Sequence, residues 1–404
     1  MKATIYPRKV KSDVFPPASK SMAHRLLISA ALAEGTSVIS DVTLCEDVLA
    51  TIDCLRALGA TINIDDKNTC TVTGCNMLST APTDVLKCRE SGSTLRFIIP
   101  IAALSGAKVI LCGSERLMER PLSVYEQLFE EHELFLQKHD NFIYLDGPMK
   151  SGQYSIKANV SSQFISGLLF ALPLTDGTST INILPPFESK SYIDLTLSAL
   201  KKFGINAYFK ENNTIEIPGN QKYKATDVTV EKDYSNAAFL DALNLMGSEI
   251  NVLALDENSL QGDKVYKEFY PLLKDGTPTI DISNSPDLGP ILFALAAELN
   301  GAVFTGTARL RIKESDRVAA MAEELSKFGA DIEIAENSVV VKKTKLHAPS
   351  EPIYAHNDHR IVMAISVIAT KYGATIYDAQ AVSKSYPNFF EDLKNIGFEV
   401  NLYD

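Results

Sequence analysis

Apolar and polar positions along the chain repeat one arrangement six times. A helical stretch closes on a glycine, and two short segments follow in which apolar and polar residues alternate, the period of half-buried strands. Residues 55–59 lead into 60–64 and 70–73, residues 200–204 into 205–209 and 214–217, residues 325–329 into 330–334 and 338–341, and residues 393–397 into 398–402. Two weaker copies fill the gaps, 124–131 into 134–136 and 142–145, and 272–276 into 279–282. Gly59, Gly204, Gly329, Gly397 and Gly276 suit a left-handed helix terminus, which glycine adopts at low cost. Copies lie about 55–75 residues apart, wider than a solenoid repeat, so each carries a second helix. Residues 21–32 read as that helix, closed by Gly35, with Leu26, Leu27, Ala30 and Ala31 on one face. Similar apolar helices start near Ser93, Ser162, Ser235, Pro286 and His359.

The expected unit is therefore strand–helix–strand–helix–strand–strand. A break near Val230 divides six units into two α/β domains of three, with a ligand site expected in the cleft between them. A simple doubly wound sheet is the structural alternative, and a sixfold repeat disfavours it.

Composition narrows the function classes. Of 404 residues, 46% are hydrophobic and 22% charged, a globular balance. Thirty-nine basic against 50 acidic residues give a net charge of −11, which disfavours nucleic-acid or membrane-surface binding but permits a local cationic site. No apolar run approaches the roughly 20 residues of a membrane span, and the first residues lack a signal-peptide pattern, so a cytoplasmic protein is expected. The six cysteines fall between Cys45 and Cys112 without a Cys-x-x-Cys pair, so free thiols are expected.

Candidate chemistry sits where apolar helices begin, and there free N–H groups and the helix dipole favour anions. Lys20, Ser21 and Arg25 share one such start, and Gly92 lies among hydroxyl residues before Arg96. Arg116 and Arg120 precede Pro121, and Ser161, Ser162 and Gln163 open another helix, as Ser189 does just before Tyr192. Asp287 opens a helix in the second half, and Lys313, Glu314 and Arg317 crowd a strand-to-helix junction with the helix beginning at about Ser315. His359 and Arg360 precede a further helix, and Lys384 lies near the C-terminus. Taken singly, each segment reads equally well as a capped or solvated helix start. Together, cations in both halves suit a dianionic ligand. His356 and His359 lack a third ligand, so no metal is expected, and without Gly-x-Gly-x-x-Gly no dinucleotide cofactor is indicated.

In this order and number the segments resemble the 5-enolpyruvylshikimate-3-phosphate synthase family. The resemblance covers Ser19-Lys20-Ser21 with Arg25, Gly92 with Arg96, Glu119-Arg120-Pro121, Ser161-Ser162-Gln163-Phe164, and Ser189 with Tyr192-Ile193-Asp194. It continues through Asp287, residues 313–317, Asp358-His359-Arg360 and Lys384. It implies two inside-out α/β barrel-like domains, residues 14–229 and residues 1–13 plus 230–404, with hinges near 13–20 and 230. It implies transfer of the enolpyruvyl group of phosphoenolpyruvate to the 5-hydroxyl of shikimate 3-phosphate with release of phosphate, by a cofactor-free monomer. Catalysis falls to Asp287 as base, Glu314 as acid, and Lys20. Shikimate 3-phosphate is expected against Lys20, Ser21, Arg25, Ser161, Ser162, Gln163, Ser189, Tyr192, Asp287 and Lys313, and phosphoenolpyruvate against Lys20, Gly92, Arg120, Gln163, Arg317, Arg360 and Lys384. Glu90 departs from the family pattern beside the phosphoenolpyruvate site, and Arg309 stands where some members have Asn. Gly92 makes glyphosate sensitivity an expectation. The alternatives are UDP-N-acetylglucosamine enolpyruvyl transferase, which is similar in fold but typically carries a loop cysteine, and an inactive anion-binding module.

Overall fold

Two kinds of helix alternate along the chain. Lys20–Ala31, Gly92–Ala102, Gln163–Ala171, Tyr234–Leu245, Gly289–Glu298 and His359–Tyr372 are buried on nearly every side. Between them come Glu46–Ala57, Ser123–Glu131, Lys190–Lys202, Tyr266–Asp275, Arg317–Ser326 and Phe389–Asn395, each with an exposed polar face. A helix apolar all round must be enclosed, and an amphipathic one lies at a surface. The computed structural model, which describes residues 1–157, 160–211 and 213–404, puts the first set inside and the sheets outside.

Among the described residues, five four-stranded sheets share one plan. Leu86–Lys87 runs parallel to Val109–Cys112, which pairs antiparallel with Phe142–Asp146, and that strand pairs with Phe135–Lys138. Gln153–Lys157, Ser179–Leu184, Thr214–Ile217 and Tyr208–Phe209 repeat the plan, with Ser179 opposite Ile217. So do the sheets built on Thr36–Ser40, on Ala302–Thr305 and on Ala374–Tyr377. Alternating burial, as in Ser179–Leu184, gives each sheet one face for the helices.

The chain forms two compact units, Ala18–Glu231 and Met1–Pro17 with Lys232–Asp404, each with its own apolar core. In the second unit the first strand, Lys2–Ile5, lies antiparallel between Ala374–Tyr377 and Val400–Tyr403.

The weaker copy at 272–282 has its one expected strand: helix Tyr266–Asp275 is followed by Thr279–Asp281, which pairs parallel with Ala302–Thr305 of the next sheet. Glu249–Val252 pairs with Lys11–Val14 in a two-stranded sheet. Gly59, Gly204, Gly329 and Gly397 are left-handed (φ +106°, +77°, +90° and +112°), but Gly276 is extended. The reason lies in the cap: Asn300 Nδ2 donates to the carbonyls of Leu273 (3.2 Å) and Lys274 (2.9 Å), replacing a left-handed turn. The junction at 311–317 is also corrected. Ala308–Ile312 is a 3₁₀ turn, and the helix starts at Arg317, capped by Asp316 Oδ1 on the N–H groups of Val318 and Ala319. The Pro286 start is a 3₁₀ turn ahead of Gly289. Among the described residues no helix is long and apolar enough to cross a membrane.

Candidate active site

In the 18–231 unit the expected residues gather at the starts of the inner helices. Lys20 Nζ pairs with Asp47 Oδ2 at 2.8 Å. Arg25 is buried, and among the described residues its guanidinium meets only neutral acceptors: Ser21 O (2.6 Å), Tyr192 O (2.9 Å) and Thr196 Oγ1 (2.8 Å), with Phe97 5.2 Å below. Burial pulls its pKa down to about 10. A buried cation without a counter-charge is costly, and an anionic ligand relieves that cost.

Gly92 lies against two arginine side chains. A Cβ there would stand 2.7 Å from Arg120 Nη1 and 2.9 Å from Arg96 Nη1. Arg96 donates to Gln163 Oε1 (2.8 Å) and Pro121 O (3.2 Å), and Gln163 Nε2 donates to Ser93 Oγ (2.8 Å). Ser161 Oγ accepts from Gln163 N. Arg120 follows the short helix Glu115–Glu119 and is buried, whereas Arg116 turns outward to Glu119. Ser19 and Ser91 cap their helices, but Ser162 and Ser189, at equivalent positions, make no cap bond. Ser189 is left-handed at φ 56° and buried. Glu90 is half-buried and is not without a partner. Cys112 ends a strand and burial raises its thiol pKa, so it lacks the environment of a loop nucleophile.

The second unit gathers the rest. Asp287, on the Pro286–Leu288 turn, meets Arg317 Nη1 (2.9 Å), Lys313 Nζ (3.3 Å) and Arg360 Nη2 (3.6 Å). Arg317 also donates to Glu314 Oε2 (2.8 Å) and, through Nε, to Asp358 Oδ2 (2.9 Å). Burial opposes the charge of Arg317, but Asp358, Glu314 and Asp287 outweigh it and raise its pKa. Burial lowers that of Lys313. Arg360 Nη1 reaches Asn236 Oδ1 (3.3 Å), and Lys384 Nζ donates to Asn357 O (2.5 Å). Nearby, Asp263 is buried with one oxygen on Ser235 Oγ, and burial, then Asp287, pushes its carboxyl up to about 7.

Most of the expected residues thus fall in one of these networks, whereas Ser162 and Ser189 stand at helix starts without a cap bond. Sequence reasoning did not assign Asp47, Arg96, Thr196, Asp263 or Asp358. Arg96 and Asp358 lay inside quoted segments. Asp47 looks like an ordinary first-turn acid of helix Glu46–Ala57.

The family model described as EPSP synthase (3-phosphoshikimate 1-carboxyvinyltransferase) matches residues 6–270 and 268–393. Relatives named 3-phosphoshikimate 1-carboxyvinyltransferase include one from Clostridium perfringens, 41% identical over 98% of both chains, and one from Clostridium novyi, 40% identical over 97% of both. The solved EPSP synthase of Acinetobacter baumannii shares the fold with a TM-score of 0.81 over 100% of both chains, at 23% identity. With model and relatives spanning nearly the whole length, this chain belongs to the EPSP synthase (3-phosphoshikimate 1-carboxyvinyltransferase) family.

Proposed function

We propose that the chain transfers the enolpyruvyl group of phosphoenolpyruvate to the 5-hydroxyl of shikimate 3-phosphate, with residues of both units serving one reaction. The observation that carries this reading is Asp287 among Arg317, Lys313 and Arg360, with Glu314 on the same arginine. Three cations favour an ionised Asp287, the form a base requires. Asp287 takes the hydroxyl proton as the oxygen bonds to C2 of phosphoenolpyruvate. The C2–C3 electron pair takes a proton from Glu314, giving a tetrahedral intermediate. C3 then returns a proton to Glu314, the double bond re-forms, the bond from C2 to the phosphate oxygen breaks, and inorganic phosphate leaves with the proton that Asp287 took. Each positioned proton transfer is worth about 10²–10⁴-fold in rate.

Glu314 must be protonated to act as acid, yet it pairs with Arg317. An anionic substrate on Arg317 competes for that guanidinium and raises the proton affinity of Glu314. Lys20 supports proton transfer. Arg25, Ser21, Ser161, Ser162, Gln163, Ser189, Tyr192 and Lys313 serve shikimate 3-phosphate. Arg120, Gly92, Gln163, Arg317, Arg360, Lys384 and Lys20 serve phosphoenolpyruvate. Arg forks suit carboxylate and phosphate oxygens.

Asp287→Ala and Glu314→Ala test the roles. Each should lower kcat at least about 10²-fold, and undiminished kcat in either removes that residue from the chemistry. We further read the protein as a cytoplasmic monomer whose units close on the substrates and exclude water. Small-angle scattering should then show a smaller radius with both substrates than with neither, and an unchanged profile rejects closure. Millimolar glyphosate should inhibit, and its failure to do so rejects the expectation drawn from Gly92.

A further inference from the structure

Behind the cations assigned to phosphoenolpyruvate lies a buried carboxylate that the proposed chemistry does not use. Glu324 is fully buried on helix Arg317–Ser326, seven residues after Arg317, so the two project from one face of that helix. Its Oε1 meets His356 Nε2 at 2.9 Å, and its Oε2 accepts from Tyr354 N (3.0 Å) and Lys327 Nζ (2.7 Å). His356 and Asn357 are consecutive left-handed residues, φ 51° and 52°, a conformation that persists only where surroundings hold it. The Asn357 carbonyl accepts from Lys384 Nζ, and Asp358 grips Arg317 and caps Arg360 N (2.9 Å). One helix therefore holds this turn twice, at His356 through Glu324 and at Asp358 through Arg317. Glu323, Glu324 and His356 stand close enough together for a cation, but the Lys327 ammonium already occupies Oε2 of Glu324. The cluster is a clamp.

We propose that Glu324, acting through His356, is a positioning residue that sets the turn presenting Lys384, Arg317 and Arg360 to phosphoenolpyruvate. The proposal rests on the enolpyruvyl-transfer reading.

The test uses the full chain as parent, His356→Asn and Glu324→Gln. Asparagine tolerates the left-handed backbone but is too short to reach Glu324, so it breaks the clamp without new strain. Phosphate release is measured with each substrate varied against saturating amounts of the other. Both variants should raise KM for phosphoenolpyruvate about tenfold, the scale of one lost charged hydrogen bond. KM for shikimate 3-phosphate and kcat should stay within about twofold, a split that a general loss of structure would not give. Lys384→Ala should add less to His356→Asn than to the parent, because the two act in series. Unchanged KM for phosphoenolpyruvate in a folded His356→Asn overturns the proposal, as does an equal rise in both KM values. An inactive parent would instead refute the enolpyruvyl reading. The clamp would then be judged by the Tm shift that inorganic phosphate induces, and equal shifts in parent and variants would overturn it.

Discussion

Arg317 gathers three carboxylates. Its guanidinium, 1% exposed, joins Asp287, Glu314 and Asp358. Arg317→Met should lower stability by about 3–5 kcal/mol, because it leaves the buried Asp358 carboxylate without its cation. Denaturant unfolding checks this, and a loss below about 1 kcal/mol would mean the network is not a unit. Gly92 offers a second test. Gly92→Ala puts a methyl where Arg120 and Arg96 now lie, so it should raise KM for phosphoenolpyruvate about tenfold, leave KM for shikimate 3-phosphate near the parent value, and weaken glyphosate further. Equal KM values in parent and variant would mean that Arg120 moves aside without consequence. At this scale the sequence exposed the cations and hydroxyls but few of their partners. Glu324 looks like one of a pair of surface acids, Glu323-Glu324, until folding buries it against His356. Which carboxylate meets which cation depends on chain segments dozens of residues apart, and no local spacing encodes it.

Helix ends decide how each repeat turns. Gly329 is left-handed at φ +90°, and a Cβ would stand 2.7 Å from His347 Nε2. Gly329→Ala should cost about 1 kcal/mol or more and lower Tm. Gly276→Ala, at an extended position with open space around it, should change Tm little. A larger loss at Gly276 than at Gly329 would contradict the Asn300 cap. The helices and most strands were legible because periods of 3.6 and 2 are local properties. The left-handed end expected at Gly276 is absent because its cap comes from Asn300, outside the local window. The turn at His356 adds a pH dependence. Hydrogen bonding to Glu324 raises the His356 pKa, Glu323 raises it further, and burial and Lys327 oppose the shift. The clamp's contribution to stability is therefore full below the ordinary histidine pKa and is lost as pH rises through the raised folded value. The Tm difference between parent and His356→Asn should be largest near pH 6 and shrink toward pH 9. A constant difference would show that the ring does not titrate in the clamp.

Across the whole molecule, six related segments build two units with separate cores, and the first strand completes a sheet formed by the last residues. The helix-and-strand repeat was readable from periodicity, the family resemblance implied only that the first strand joins the C-terminal part, and its pairing with Val400–Tyr403 is seen in the structure alone. Each unit carries its own polar network: arginines and hydroxyls at helix starts in 18–231, and Asp287 and Glu314 among Arg317, Lys313 and Arg360 in the other.

Phosphate release from phosphoenolpyruvate by the purified protein tests that account most directly. It is run with shikimate 3-phosphate, with UDP-N-acetylglucosamine, and with neither. The account predicts release with shikimate 3-phosphate alone. Release with the sugar nucleotide, or none with either despite binding, would contradict it.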